Sequence, residues 1–186
     1  MKTKTRYAIV MVLCVLLNEG FYTLALALNL PVWLDTTGTA LAAIFLEPAA
    51  GMLVGLVNNF YLEISRGDAS TLIYYFVTAA EAVIVGNLMR KNGKITFSRF
   101  LPTIGLTAVV TSVMVSLITI WRGESKLTFP ADIAVCDFLQ NIGFPHMAAF
   151  FVGPFLVKLL DVAVQGAIVL ILCMIMPKKL KNPSDI

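Results

Sequence analysis

The chain has 186 residues, of which 59% are hydrophobic and only 13% are charged, and its formal net charge at pH 7 is +3. A soluble domain of this length rarely carries so much apolar material, and the mean hydropathy of +0.87 is typical of a chain surrounded by lipid. The charge excess is too small to indicate a nucleic-acid partner. The three cysteines, Cys14, Cys136 and Cys173, lie too far apart to predict a disulfide framework or a metal motif.

Apolar runs follow one another along the chain, and a run of about 20 residues is long enough to cross a bilayer as a helix. The clear runs are Tyr7–Leu28, Thr71–Met89, Phe100–Trp121 and Met147–Met176. The first run is too long for the core of a signal peptide, and no small-residue cleavage site follows it, so we expect a retained span. The composition predicts an all-α membrane protein with a single domain covering residues 1–186.

Residues 33–59 are apolar but contain Glu47 and Pro48, and they fit either one span or a hairpin of two short helices. With one span and the N-terminus inside, six basic residues face the cytoplasm and seven face outside, against the positive-inside rule. With a hairpin that breaks at Glu47–Pro48, ten face inside and three face outside. The sequence therefore predicts a six-transmembrane-helix bundle with both termini cytoplasmic. The predicted spans are approximately 7–28, 36–47, 49–65, 70–89, 99–121 and 147–176.

Local features of the sequence support this hairpin. Thr36 and Thr37 are good helix caps, and Pro48 suits the first turn of a new helix. Each arm is shorter than a bilayer core, so we expect neighbouring helices to shield both arms. Within the long connection 122–146, the part PADIAVCDFLQNIGF predicts a short interfacial helix. Two small-residue faces that allow close helix packing in lipid are Gly38-x-x-x-Ala42 and Gly51-x-x-x-Gly55.

Polar side chains within the predicted spans indicate where a solute binds. Ionisable groups in hydrocarbon are costly unless they are paired or face water, so each one is a functional candidate. At 1.5 Å per residue, these groups gather between the midplane and the outer surface, where a pocket open to the outside needs hydrogen-bond partners. The predicted substrate-binding residues are Trp33, Asp35, Asn58, Glu81, Lys158 and Asp161. Further candidates are Glu19, Asn59, Tyr74 and His146.

Structural roles stay open for several of these residues. Lys158 and Asp161 are three residues apart and can pair on one helix face, while Asp35 can cap a helix. Asn58 and Asn59 can hydrogen-bond between helices, and only one of them faces a given neighbour.

The remaining candidates also divide into those with a functional interpretation and those with a structural one. Glu19 and Glu81 have no basic residue one turn away, which favours a functional role for both. Trp33 and Tyr74 fit an outer aromatic belt, and His146 suits a place at the interface, where it caps or anchors the last helix.

Catalytic chemistry finds little support in the sequence. One histidine cannot build a multi-histidine metal site, and the chain has no His-Glu-x-x-His, Gly-x-Ser-x-Gly or P-loop pattern. The sequence therefore predicts no enzyme, no metal site and no cofactor. Two further hypotheses stay open: a membrane sensory domain, and a stand-alone proton-coupled carrier that uses Glu19, Glu81 and Asp161.

The segment LPVWLDTTGTALAAIFLEPAAGMLVGLVNN, residues 30–59, resembles the second and third helices of the S components of energy-coupling factor (ECF) transporters. That family has a Gly-Pro-x-x-Gly-x-x-x-Gly turn between the two helices, and here Glu47 stands in place of its first glycine. AAEAVIVGNLMRKNGK is similar to the family's fourth helix and basic inner loop, and LVKLLDVAVQGAIVLILCMIMPKKL to its terminal helix. The family's Ala-x-x-x-Ala pattern on the first helix is absent.

The resemblance implies a substrate-binding subunit in the plasma membrane of a prokaryote, which captures a vitamin or other micronutrient from outside. It also implies protein partners, namely a transmembrane T component and two cytosolic ATPase subunits that supply the energy. The first outer connection, Asn29–Asp35, is expected to act as a lid, with Trp33 closing over the small-molecule substrate.

Overall fold

The computed structural model describes residues 2–67, 69–91, 94–123, 127 and 129–175, which are helical except for one minimal β-hairpin and the connections. The helices are α1 (Lys2–Ala27), α2 (Thr37–Phe45), α3 (Pro48–Arg66), α4 (Tyr75–Leu88), α5 (Phe100–Arg122), α6 (Pro130–Asn141) and α7 (His146–Ile175). The 3-10 helices Ala69–Tyr74 and Phe97–Arg99 lead into α4 and α5. The antiparallel strands β1 (Arg90–Lys91) and β2 (Lys94–Ile95) form the hairpin after α4.

Three helices are long and apolar enough to cross a membrane, as expected for a membrane protein. They are α1 over Tyr7–Ala27, α5 and α7, while Leu72–Leu88 is a shorter apolar helix. The predicted break at Glu47–Pro48 is confirmed, because α2 ends at Phe45 and α3 begins at Pro48. The short helix predicted within the connection 122–146 is also confirmed, as α6. The basic residues Lys178, Lys179 and Lys181 lie outside the described residues.

Helix α2 forms the centre of the bundle. All nine of its residues are buried, and α1, α3, α4 and α7 pack around it. Five of its apolar side chains belong to one core cluster with Cys14 of α1, Val85 of α4 and Val169 of α7. The prediction that neighbouring helices shield both short arms is therefore confirmed for α2. It is wrong for α3, which has 19 residues and exposes large apolar side chains such as Phe60 and Ile64.

Glycine allows the helices to approach α2 closely. A Cβ atom on Gly38 would overlap the backbone carbonyl oxygen of Cys14 in α1. A Cβ atom on Gly51 of α3 would lie only 2.7 Å from the Cβ of Ala43, closer than such atoms pack. The predicted small-residue faces thus contact neighbouring helices directly, as in other helix pairs packed within lipid.

The N-terminus of α2 is capped by α1 and not by its own threonines. Asn18 of α1 is fully buried, and its Oδ1 accepts the N–H groups of Gly38 at 2.6 Å and Thr39 at 3.2 Å. Thr36 occupies the cap position but makes no capping bond, and the Thr37 hydroxyl donates to a carbonyl of the preceding turn. The capping prediction is wrong because α1 packs so closely that an amide from another helix reaches these N–H groups.

The two ends of the bundle differ in character. At the end that contains the α2–α3 turn, the Arg90 guanidinium donates to the carbonyl of Leu46, and the Tyr7 hydroxyl donates to Glu47 Oε1 at 2.7 Å. These bonds hold α1, the turn and the β-hairpin together, and we call this end the turn end. At the opposite end, the α1–α2 connection and α6 surround a cavity, and we call this end the cavity end.

Candidate functional site

A cavity lies at the cavity end of the bundle. Its empty volume, which includes space open to solvent, is about 830 Å³, and the centre of a water-sized sphere can move within about 100 Å³ of it. Since one water needs roughly 10–15 Å³ by the second measure, the cavity has room for a solute much larger than water. Parts of α3, α4, α5 and α7 form its walls, together with the α1–α2 connection and α6.

Aromatic rings form part of the cavity wall. The Trp33 ring stacks with Phe129, with centroids 4.0 Å apart, and with Tyr22 of α1 at 6.2 Å. Tyr74 also lines the cavity, and the Arg122 guanidinium lies 5.5 Å from the centre of its ring, within range of a cation–π interaction. The two stacking contacts restrain the indole of Trp33 beside the cavity.

Charged side chains line the same space, and among the described residues of this lining carboxylates outnumber cations. The lining includes Asp35, Glu63 and Asp132 as acids, and Arg122 and Lys158 as bases. Burial raises the pKa of Asp132 to about 7, although the positive charge of Lys158 opposes this shift, and the negative charge of Asp161 adds to it. Placing another negative charge in this cavity is therefore costly.

A buried carboxylate of α7 holds the α1–α2 connection beside the cavity. Asp161 Oδ1 accepts the backbone N–H groups of Trp33 at 2.8 Å and Leu34 at 2.9 Å, and Oδ2 accepts the Lys158 ammonium at 2.6 Å. We call Asp161 and Lys158 the latch. Leu34 has φ +56°, in the left-handed region that is costly for a residue with a side chain. The charge-assisted hydrogen bonds to Asp161 offset this strain.

A second buried network lies beside the latch and joins α2, α4 and α7. The Gln165 amide donates to Glu81 Oε1. The Thr36 hydroxyl lies 3.0 Å from Glu81 Oε2 and 2.8 Å from Gln165 Oε1, and its single proton satisfies one of them at a time. Glu81 and Gln165 line a separate cavity of only about 10 Å³, which is too small for a solute.

The predicted site residues fall into three groups. Those that line the large cavity are Trp33, Asp35, Asn59, Tyr74 and Lys158. Three others lie behind its wall and are at most 1% exposed: Asn58, Glu81 and Asp161. Among these, Asn58 donates to the backbone carbonyl of Asp35 at 3.1 Å and so supports the same connection as the latch. Glu19, half-buried on α1, and His146, exposed at the start of α7, line neither cavity.

Six charged, polar or aromatic residues of the described lining were not predicted. They are Thr36, Glu63, Thr78, Arg122, Phe129 and Asp132. Glu63 lies four residues after Asn59, so helical spacing was a signal for it. Phe129 lies just before α6, a helix that was predicted only as interfacial, and Asp132 lies in that helix. No local pattern connects either residue with Trp33.

The arrangement can hold a small polar solute through hydrogen bonds, charge and ring stacking. Within the part of the chain that the structure describes, no group of three or more His, Cys, Asp and Glu side chains is placed to hold a metal ion. In comparisons with known proteins, no family model, curated protein or solved structure matches this chain.

Proposed function

We propose that the chain is a substrate-binding membrane subunit, the S component of an ECF-type importer, which captures a vitamin or other micronutrient outside a prokaryotic cell. The observation that carries this proposal is the cavity at one end of an apolar helical bundle, with aromatic and charged walls. The resemblance of residues 30–59 to the family's short-helix hairpin supports it. A binding subunit needs such a cavity and needs no nucleotide site of its own.

The proposed topology has six spans, formed by α1 to α5 and α7, with both termini in the cytoplasm and α6 at the outer surface. The excess of ten basic residues over three supports this orientation. Arg90 and the β-hairpin at the turn end then face the cytoplasm, and the cavity opens to the outside. The α1–α2 connection serves as the lid over the solute, and the latch sets its resting position.

In the proposed transporter, partner subunits supply the energy for uptake. The chain captures the solute from outside, while a transmembrane T component and two cytosolic ATPase subunits drive its release inside. Purified chain should therefore bind the solute tightly by itself. Native mass spectrometry of gently purified protein should find a co-purified metabolite, and calorimetry should confirm its affinity.

Reconstitution separates this proposal from its alternative. Liposomes that hold the chain alone should show no uptake, and uptake should appear only with the T component, the ATPases and ATP. Uptake by the chain alone under a proton gradient would instead identify the carrier that uses Glu19, Glu81 and Asp161. A purified chain that binds no metabolite at all would contradict both ideas and favour a sensory domain.

The two tryptophans provide a matched test of the cavity. Trp33→Ala removes a ring of the cavity wall, and we expect at least about 10-fold weaker binding of the co-purified metabolite. Trp121→Ala changes an indole that is 73% exposed on α5 and should leave binding unchanged. Equal affinities of both variants would place the solute elsewhere.

A further inference from the structure

We infer that the solute of the large cavity is a small aromatic cation, a flat ring that carries a positively charged nitrogen. This inference rests on the proposed function, because it names the class of molecule that the same cavity would select.

The charges of the lining favour a cation. The described lining contains three acids, Asp35, Glu63 and Asp132, and two bases. One of the bases, Lys158, is paired at 2.6 Å with Asp161, which lies behind the wall. An anionic solute would add a negative charge to a described lining in which carboxylates already outnumber bases by three to two, and would be repelled. A solute with one positive charge balances the excess in a partly enclosed space, where charges interact more strongly than in water.

The surroundings of Asp132 support the same conclusion. Asp132 is only 8% exposed, and burial raises the pKa of its carboxyl group to about 7, so its negative charge is poorly stabilised by its surroundings. A positively charged nitrogen close to Asp132 would stabilise that charge and make a charge-assisted hydrogen bond. The gain is larger than for a carboxylate that water already solvates.

The aromatic residues favour a ring on the same molecule. Trp33 and Phe129, stacked with their ring centroids 4.0 Å apart, both line the cavity, and Tyr74 contributes another ring. Arg122 already lies over the Tyr74 ring, so this wall accommodates a planar cation against an aromatic face. Ring stacking and cation–π attraction both favour the binding of a flat solute whose positive charge is delocalised over its ring or lies next to it.

Four simple probes separate charge from aromaticity: benzylammonium, benzyl alcohol, benzoate and cyclohexylmethylammonium. Each is titrated into the purified full chain carrying Trp121→Phe, so that tryptophan emission reports on Trp33 alone. We expect benzylammonium to change the emission at millimolar concentration and to bind more tightly than the other three. Benzoate should bind most weakly, because it adds a negative charge to the acidic lining.

Two carboxylate variants test the contacts. Asp132→Asn and Glu63→Gln should each weaken benzylammonium binding by roughly 10- to 150-fold, as expected for a lost charge-assisted hydrogen bond. Both should weaken benzyl alcohol binding much less, because the alcohol carries no charge for the carboxylate to balance, and its retained binding shows that the variants are folded. Asp137→Asn makes the same chemical change on the exposed face of α6 and should have no effect on either probe.

The outcomes distinguish this inference from the proposed function. Tighter binding of benzoate than of benzylammonium, or equal binding of both, overturns the ligand class while leaving a solute-binding subunit in place. A co-purified metabolite without a positively charged nitrogen has the same consequence. Failure of all four probes to bind, together with no co-purified metabolite, overturns both.

Discussion

Removing one charge of the latch is expected to destabilise the fold far more than removing both. Lys158 and Asp161 are each less than 10% exposed and 2.6 Å apart, so either one left alone is a buried, uncompensated charge. Breaking such a pair costs about 3–5 kcal/mol. Lys158→Met leaves Asp161 beside the carboxylate of Glu81, while Asp161→Asn leaves Lys158 with Glu81 and Asp35 as partial compensation. Lys158→Met is therefore expected to be the costlier single change.

The double variant Lys158→Met/Asp161→Asn should be less destabilised than the sum of the two single variants, by at least about 2 kcal/mol. Asn at position 161 keeps an Oδ1 that can accept the N–H groups of Trp33 and Leu34, so the backbone contacts persist without the charge. Most of the remaining cost is the weaker hydrogen bonding of a neutral acceptor.

Reversible unfolding in mixed detergent and SDS micelles measures these free energies. The three buried cysteines provide an independent signal, because a thiol-reactive dye labels them only when the bundle opens. Lys4→Met and Asp137→Asn, at exposed positions of α1 and α6, make the same chemical changes and should each cost less than about 0.5 kcal/mol. Single-variant costs that add within about 0.5 kcal/mol in the double variant would refute the coupling of the two charges.

Three further predictions concern packing, pH and topology. Gly38→Ala should destabilise the chain by at least about 2 kcal/mol because its methyl group overlaps α1, whereas Gly20→Ala, with nothing near its added Cβ, should be neutral or slightly stabilising in the same unfolding assay. Because burial raises the folded pKa of Asp132 to about 7, above the ordinary value of 3.8, the parent loses stability as the pH rises from about 4 to about 7. Asp132→Asn should therefore melt above the parent at about pH 8 and lose most of that advantage at about pH 4; a constant difference would contradict this. Positions Lys126 and Asn92 lie outside the described residues. A cysteine at position 126 should be labelled from outside the cell, and a cysteine at position 92 only from inside. Labelling of position 92 from outside would eliminate the six-span topology.

The helices were predictable from the sequence because local signals define them. Apolar runs gave the long helices to within a few residues, except that α1 begins at Lys2, and Pro48 marks the start of α3 as its fixed backbone angle suggests. The capping of α2 was not predictable, because the capping amide of Asn18 belongs to another helix. Propensity rules describe a helix end in water, and this end is buried against α1.

The site was predictable only in outline. Depth along each predicted span selected Lys158 and Asp161, and the structure joins them with the backbone of Trp33. Depth does not indicate which face of a helix a side chain occupies, so Glu81 was selected although it lines only the smaller cavity. Asp132 was missed because its proximity to the cavity depends on how α6 packs on α7.

The complete burial of α2 has a consequence for biogenesis. Nine helical residues extend only about 14 Å, less than half of a bilayer core, so α2 cannot leave the translocon as an independent membrane span. The polar groups at its N-terminus find their partners on α1, α4 and α7, and α7 is made last. In the proposed six-span topology, insertion of this segment is therefore completed only after α7 has been synthesised. Until then, Thr36 and its neighbours require water or a membrane chaperone to satisfy their hydrogen bonds.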